Sequence, residues 1–223
     1  MNGSLKLTDA KTQHMLLSLI GKHFPVEVWK SRSPFRTLIH TILSQNTNDR
    51  NSEAAMKKLS QRYRINPEAL SKAHVRDLMK CIRSAGLYTL KAPRIKEISR
   101  IILERYHGRL SPILELPYEQ AKQELTALPG VGPKTADILL AFIAEHPVIP
   151  VDTHIARVSK RLGIAPRKAS YEKVRASLEA LIPPRDRLQL HLSIIAFGRE
   201  ICRAPRPLCR ICPLNIACPS SSV

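Results

Sequence analysis

An all-α fold is predicted by three features of the sequence. Apolar residues recur at helical spacing along nearly the whole chain, and short turn-forming dipeptides interrupt them. No segment shows the alternation of a half-buried strand or the turn of a hairpin. With 43% apolar residues among 223, the chain carries enough material for one good core or two small ones. No fixed-period repeat is visible.

The elements follow in order. Thr8 is placed to cap a first helix with Met15, Leu16, Leu19 and Ile20 on its inner face. Pro34 opens a second, PFRTLIHTILSQ, which turns Leu38, Ile39, Ile42 and Leu43 inward. Helical periodicity continues over 49–63, 75–84, 90–106, 118–127 and 133–145, and then over 152–162, 171–181 and 187–197. Breaks fall at Asn66-Pro67, Ala85-Gly86 and His107-Gly108. The stretch EHPVIPVDT, with two prolines, reads as an extended crossover.

Charge gives the first functional indication. Lys and Arg number 36 against 18 Asp and Glu, for a formal charge of +18 and a pI near 10.2. Basic residues spread along a folded chain favour a polyanionic partner, because phosphate contacts release condensed counterions. No run of 18 apolar residues is present, no strongly basic amphipathic anchor stands out, and the N-terminus lacks the features of a secretory signal. An intracellular nucleic-acid-binding protein is expected.

The segment Leu128-Pro129-Gly130-Val131-Gly132-Pro133-Lys134-Thr135 lies between two helical patterns. Glycines there allow close backbone approach, and Pro133 suits the first position of a helix. A helix-hairpin-helix is predicted, its amides near a helix N-terminus forming a cradle for phosphate. A plain glycine-rich turn is the alternative. Lys134, just inside the second helix, can pair with phosphate or act as an amine nucleophile. The second role is helped by partial burial and neighbouring cations, which favour the neutral amine. Asp152, in Val151-Asp152-Thr153-His154, reads as an N-cap. A carboxylate held rigidly at a helix start also suits proton transfer and stabilisation of positive charge.

Cys81 stands alone, whereas Cys202, Cys209, Cys212 and Cys218 fall in a C-x6-C-x2-C-x5-C string. Four thiolates so spaced can enclose one tetrahedral zinc or one cubane iron–sulfur cluster, and a structural role is expected. Arg203, Arg206 and Arg210 punctuate this loop as candidate contacts to a nucleic-acid backbone. A zinc deaminase is excluded by the lack of an H-x-E motif followed by P-C-x-x-C.

LPGVGPKTAD, VDTHIARVSKRLG and the cysteine spacing together resemble the endonuclease III family of DNA glycosylase/AP lyases, over about 34–218. The resemblance implies a helix-hairpin-helix glycosylase fold of two helical domains with a C-terminal iron–sulfur cluster loop. One is a six-helix domain over 31–146; the other combines 1–30 with 147–223. Duplex DNA is expected across the cleft between them. The resemblance also implies a [4Fe–4S] cluster on Cys202, Cys209, Cys212 and Cys218, with Lys134 as nucleophile and Asp152 as catalytic carboxylate.

Gly130, Val131 and Gly132 then become DNA-backbone contacts, joined by Arg203 and Arg206. Family members fill the gap left by a flipped base with a glutamine and a leucine. The matching positions here are Asn46, with Gln45 immediately before it, and Leu87. Asn46 and Pro133 depart from the family pattern.

The expected activity is removal of a damaged base, an oxidised pyrimidine by resemblance, followed by β-elimination at the abasic site. The expected setting is a monomer in a prokaryotic cytoplasm or nucleoid. The alternatives are a mismatch-specific glycosylase, whose members usually carry Ser or Tyr in place of the lysine, and a non-enzymatic helix-hairpin-helix DNA-binding protein.

Overall fold

The structure, a computed structural model, describes residues 8–28 and 33–222. Its helices are α1 (Ala10–His23), α2 (Pro34–Ser44), α3 (Asp49–Arg62), α4 (Pro67–Lys72), α5 (Val75–Cys81) and α6 (Tyr88–Tyr106). They continue as α7 (Ser111–Leu114), α8 (Tyr118–Thr126), α9 (Pro133–Phe142), α10 (Thr153–Arg161), α11 (Tyr171–Glu179) and α12 (Arg187–Glu200). Single 3-10 turns lie at Arg83–Ala85, Pro184–Asp186 and Cys209–Ile211. Among the described residues there is no strand, and no helix is long and apolar enough to cross a membrane. The chain divides into two compact units, Lys30–His146 and Met1–Trp29 with Pro147–Val223.

The central unit is built by α2 to α9. Its core gathers Leu38, Ile39, Ile42 and Leu43 of α2 with Leu59, Ile95, Ile98, Leu139 and Leu140, all essentially water-free. Helix α4 packs on α6, α8 on α9, and α2 on α3. Eight α-helical segments stand where six were expected. The additional ones are α4 and α7, of six and four residues, each with a proline in its first turn. Elements of that length show no full helical period, so the periodicity reading passed over them. Helix α6 also starts earlier than the apolar pattern indicates, at Tyr88 directly after a left-handed Leu87.

Inside this unit the buried carboxylate of Asp137 accepts a hydrogen bond from Tyr118 Oη at 2.8 Å and pairs with Lys122 Nζ at 3.4 Å. Lys122 also donates to Tyr118 Oη at 3.0 Å. The three side chains tie α8 to α9, the two helices that flank the glycine-rich hairpin.

In the other unit α1 packs on α12 and α12 on α10. Leu16, Leu17 and Ile20 meet Ile155, Val158, Leu178, Ile194 and Phe197 in one cluster, with Phe24 edge-on to Phe197 at 5.3 Å. The cap of α1 is Asp9 rather than Thr8. Asp9 stands next to Ala10, so its short carboxylate reaches Thr12 N–H at 3.0 Å, while the Thr8 hydroxyl donates to Leu162 O. Met15 is 45% exposed, because Leu17 takes the inward place expected for it.

The Asp137 group yields a stability prediction. Asp137→Ala strands a half-buried ammonium and a phenol, and should cost about 3–5 kcal/mol in urea denaturation, the usual result of breaking one side of a buried pair. A loss under about 1 kcal/mol, the scale of an exposed pair, would mean that Lys122 relaxes into water.

Candidate active site and cysteine loop

The hairpin between α8 and α9 is a tight turn closed by Val131 N–H to Leu128 O at 3.1 Å. Pro129 takes its second position and Gly130, at φ 76°, its third, the pattern of a type II turn. Gly130 has a second reason to be glycine: a Cβ there would stand 2.8 Å from Arg94 Cδ, so the Arg94 side chain lies directly on the turn. Val131 is tied into the turn itself. Its amide is used inside the turn and its side chain is buried, which makes it the anchor of the hairpin.

Gly132 is the N-cap of α9, and no side chain caps that helix. The first-turn amides of Lys134 and Thr135 are therefore left for an anion. Pro133 and Lys134 face solvent, whereas Thr135, Ala136 and Asp137 face inward. The partial burial expected of Lys134 is absent, because it sits on the outer side of the first turn. Its Nζ has no hydrogen-bond or ion-pair partner among the described residues.

Gln45 and Asn46, at the end of α2, take different roles. The Gln45 amide donates to Gly130 O at 3.0 Å and to Thr135 Oγ1 at 3.3 Å, bracing the hairpin. Asn46 is exposed and left-handed, at φ 53°. Leu87 is likewise left-handed, at φ 47°, and 49% exposed. Arg94, two turns into α6, lies against the hairpin, and Lys91, one turn into α6, is buried beneath these loops; the sequence reading passed over both. Lys91 is 2% exposed, and burial holds its pKa below the usual lysine range.

In the other unit Asp152 is the N-cap of α10 and accepts from Ile155 N–H at 2.8 Å through Oδ1. Oδ2 has no hydrogen-bond partner among the described residues. His154, held below the ordinary histidine pKa chiefly by burial, has Nδ1 3.1 Å from Arg157 Nη2. It packs on Gly198, where a Cβ would come within 3.1 Å of the His154 Cβ.

The four cysteines of the C-terminal string are free thiols and line one small cavity, with Leu162, Phe197 and Ile201 among its walls. Among the described residues no three metal-ligating side chains are gathered closely enough to grip a bare ion. The donors nevertheless suit a sulfur-ligated group. Burial raises the Cys212 and Cys218 thiols above the usual range, while hydrogen bonding to Ser222 lowers that of Cys209. Arg161 Nη1 lies 3.3 Å from Cys202 Sγ, and Leu214 N–H is 3.4 Å from Cys212 Sγ, so donors already point at sulfur. The buried Ser221 hydroxyl on the same cavity has no partner, an unmet donor that an additional acceptor in the cavity would satisfy.

Arg203 turns back to close the C-terminal end of α12, donating to Arg199 O and Glu200 O, whereas Arg206 and Arg210 are exposed. The fifth cysteine, Cys81, is buried in the central unit, away from the string in sequence and in domain.

Comparison with known proteins gives a consistent result. The family model described as HhH-GPD superfamily base excision DNA repair protein matches residues 39–184. Endonuclease III of Thermotoga maritima is 43% identical over 199 residues, covering 89% of this chain and 88% of the relative. Endonuclease III of Bacillus subtilis is 36% identical, covering 95% and 94%. A solved endonuclease III trapped in a covalent intermediate with DNA superposes with a TM-score of 0.86 at 32% identity, over 96% of this chain and 97% of that one. A thermostable thymine-DNA glycosylase, at TM-score 0.75 and 23% identity over 95% and 98%, shares the fold.

The geometry of Asp152 separates its structural role from its chemistry. Asparagine caps a helix about as well as aspartate, so Asp152→Asn should leave the thermal midpoint nearly unchanged. Asp152→Ala should lose about 1 kcal/mol. If both variants unfold alike, the carboxylate charge rather than the cap hydrogen bond is holding α10.

Proposed function

Since this chain belongs to the HhH-GPD superfamily of base excision DNA repair proteins, and within it to the endonuclease III family, we propose that Lys134 is its amine nucleophile. The protein is a DNA glycosylase with AP lyase activity. The observation that carries the residue assignment is the placement of Lys134: solvent-facing, unpaired among the described residues, and one residue past Pro133 at the uncapped start of α9.

The reaction follows from that placement. A phosphate held by the hairpin and the first amides of α9 brings the sugar toward Nζ, and the docked duplex removes the water that surrounds the amine in the free protein. The Asp152 carboxylate takes a proton from the ammonium. Neutral Nζ attacks C1′, the glycosidic bond breaks with its electron pair going to the departing base, and the base is protonated as it leaves. Loss of a proton from the attached nitrogen and cleavage of the C1′–O4′ bond, with O4′ taking the electron pair and a proton, open the sugar to an imine, which acidifies the C2′ proton. Loss of that proton breaks the C3′–O3′ bond, and water then hydrolyses the imine to free Lys134.

The lesion nucleotide must first leave the helix, at a cost of a few kcal/mol that is smallest for a weakly stacked base. Asn46 and Leu87 fill the gap. Asn46 rather than Gln45 is assigned because the Gln45 amide is already committed to Gly130 and Thr135. Gly130, Gly132, Arg206 and the exposed face of Arg203 are the backbone contacts, with Val131 acting from below as an anchor. Oxidised pyrimidines are the proposed lesions, and the proposed form is a monomer. Bacterial relatives support a prokaryotic cytoplasm or nucleoid as the setting.

Cys202, Cys209, Cys212 and Cys218 are proposed to hold a [4Fe–4S] cluster. When bound, it supplies a covalent cross-link that stiffens the loop after α12. Arg161 and Ser221 direct N–H and O–H donors into the same cavity.

Two outcomes check these assignments. Lys134→Gln should abolish both strand cleavage and the borohydride-trapped complex while leaving most binding to abasic DNA, and a trapped complex in that variant would move the nucleophile elsewhere. Asp152→Asn should slow base excision by about 10²–10⁴-fold, the range of a positioned acid–base group, and affect cleavage of abasic DNA less. Separately, the purified protein should be yellow-brown and contain iron, with metal content unchanged in Cys81→Ser. A colourless, active protein with stoichiometric zinc would refute the cluster.

A further inference from the structure

The mechanism above makes no use of Lys91, one of the largest fully buried side chains among the described residues and an ammonium. Its Nζ donates to Leu43 O at 2.8 Å, to Gln45 O at 2.6 Å and to Ala85 O at 2.8 Å. Those bonds use all three of its protons. Burial alone lowers its pKa, with no neighbouring carboxylate contributing. A buried cation without a counter-charge is a costly way to fill space, and an apolar side chain of similar length would fill it more cheaply.

What Lys91 joins explains the expense. Leu43 and Gln45 form the C-terminal end of α2, and Ala85 ends the 3-10 turn at Arg83–Ala85. Both ends expose carbonyls that lack helical partners, a natural site for a cation. One residue beyond Gln45 stands Asn46, and two beyond Ala85 stands Leu87. These are the exposed, left-handed pair already described, in a conformation that disfavours any residue with a Cβ. The ammonium therefore binds the two loops together immediately beneath both strained residues.

We propose that Lys91 is a positioning residue that holds Asn46 and Leu87 at a fixed spacing, so that they enter the duplex as one preorganised unit. Loops left free would have to be ordered during each insertion, and that ordering would be subtracted from the energy available for extruding the base. The inference rests on the assignment of Asn46 and Leu87 as the gap-filling pair.

Lys91→Met keeps length and removes the donors. The test compares it with wild type in thermal unfolding, in 2-aminopurine fluorescence reporting extrusion from a duplex, and in single-turnover excision of a paired lesion. A fourth measurement is borohydride trapping on a single-stranded abasic oligonucleotide, where no gap in a stack has to be filled. Extrusion and excision should fall by about 10–100-fold, the scale of a misplaced contact, while single-strand trapping stays within about twofold of wild type. Adding Lys91→Met to Leu87→Ala should then cost little more than Leu87→Ala by itself, because both act through one element.

Normal extrusion with a lowered melting temperature, or full additivity with Leu87→Ala, would overturn the proposal. So would failure of both Lys91→Met and the more conservative Lys91→Gln to fold, since Lys91 would then be a core residue only. If Leu87→Ala excises normally while wild type traps and extrudes, the gap-filling assignment itself is wrong, and this inference goes with it.

Discussion

One buried ammonium, that of Lys91 in α6, ties the end of α2 and the 3-10 turn at Arg83–Ala85 together within the central unit. Taking the Lys91 charge out of water costs several kcal/mol, and three charge-assisted hydrogen bonds of roughly 1.5–3 kcal/mol each are what make it tolerable. Left-handed Leu87 adds about 1–2 kcal/mol of backbone cost, while Asn46, a residue type that tolerates that conformation, adds less. The connections extend further through Gln45. Its main-chain carbonyl accepts from Lys91, and its side-chain amide donates to Gly130 O and Thr135 Oγ1. The loops that carry Asn46 and Leu87 and the glycine-rich hairpin are thus coupled through one residue, and Lys134 sits on the turn of helix between Gly132 and Thr135. None of these groups is positioned independently of the others.

The other unit uses a helix for a comparable purpose. Asp152 begins α10, and Arg157 and Arg161 follow one and two turns later. Arg157 donates to Cys202 O and Gly198 O, and Arg161 to Cys202 O and Arg203 O. A single short helix therefore carries a carboxylate at one end and grips the start of the cysteine loop at the other. Loosening that loop removes the acceptors that hold Arg157 and Arg161. The proposed cluster would in this way bear on the carboxylate end without taking part in the chemistry.

Much of this was legible in the sequence, and the exceptions have identifiable causes. The long helices were visible because their apolar faces repeat over several turns, and the hairpin because Pro129, Gly130, Gly132 and Pro133 each have narrow backbone preferences. Helices α4 and α7 were too short for periodicity to register. Two caps compete at Thr8 and Asp9, and adjacency decided for Asp9, which no pattern ranks in advance. Lys91 was hidden for a deeper reason: a lysine in a charged helix reads as a solvent-facing residue, and only the convergence of three distant carbonyls shows otherwise. The turn closed by Val131 N–H on Leu128 O was likewise not readable from the residues, since a hairpin amide has no visible partner in the sequence.

The contrast between Lys91 and Lys134 shows where the protein invests its order. Lys91 is desolvated, saturated with hydrogen bonds and fixed, whereas Lys134 is left in water without a partner among the described residues. An enzyme that must travel over undamaged duplex benefits from this division. In the proposed mechanism an exposed lysine helps hold phosphate anywhere along the DNA, and it acts as a nucleophile only where a sugar has been brought close and water expelled. On the proposed assignment, the preorganised part is the pair Asn46 and Leu87, which fills the space of the extruded base. Selectivity on that proposal resides in extrusion, before the amine is committed, so a rigid insertion pair and a solvated nucleophile belong to the same design.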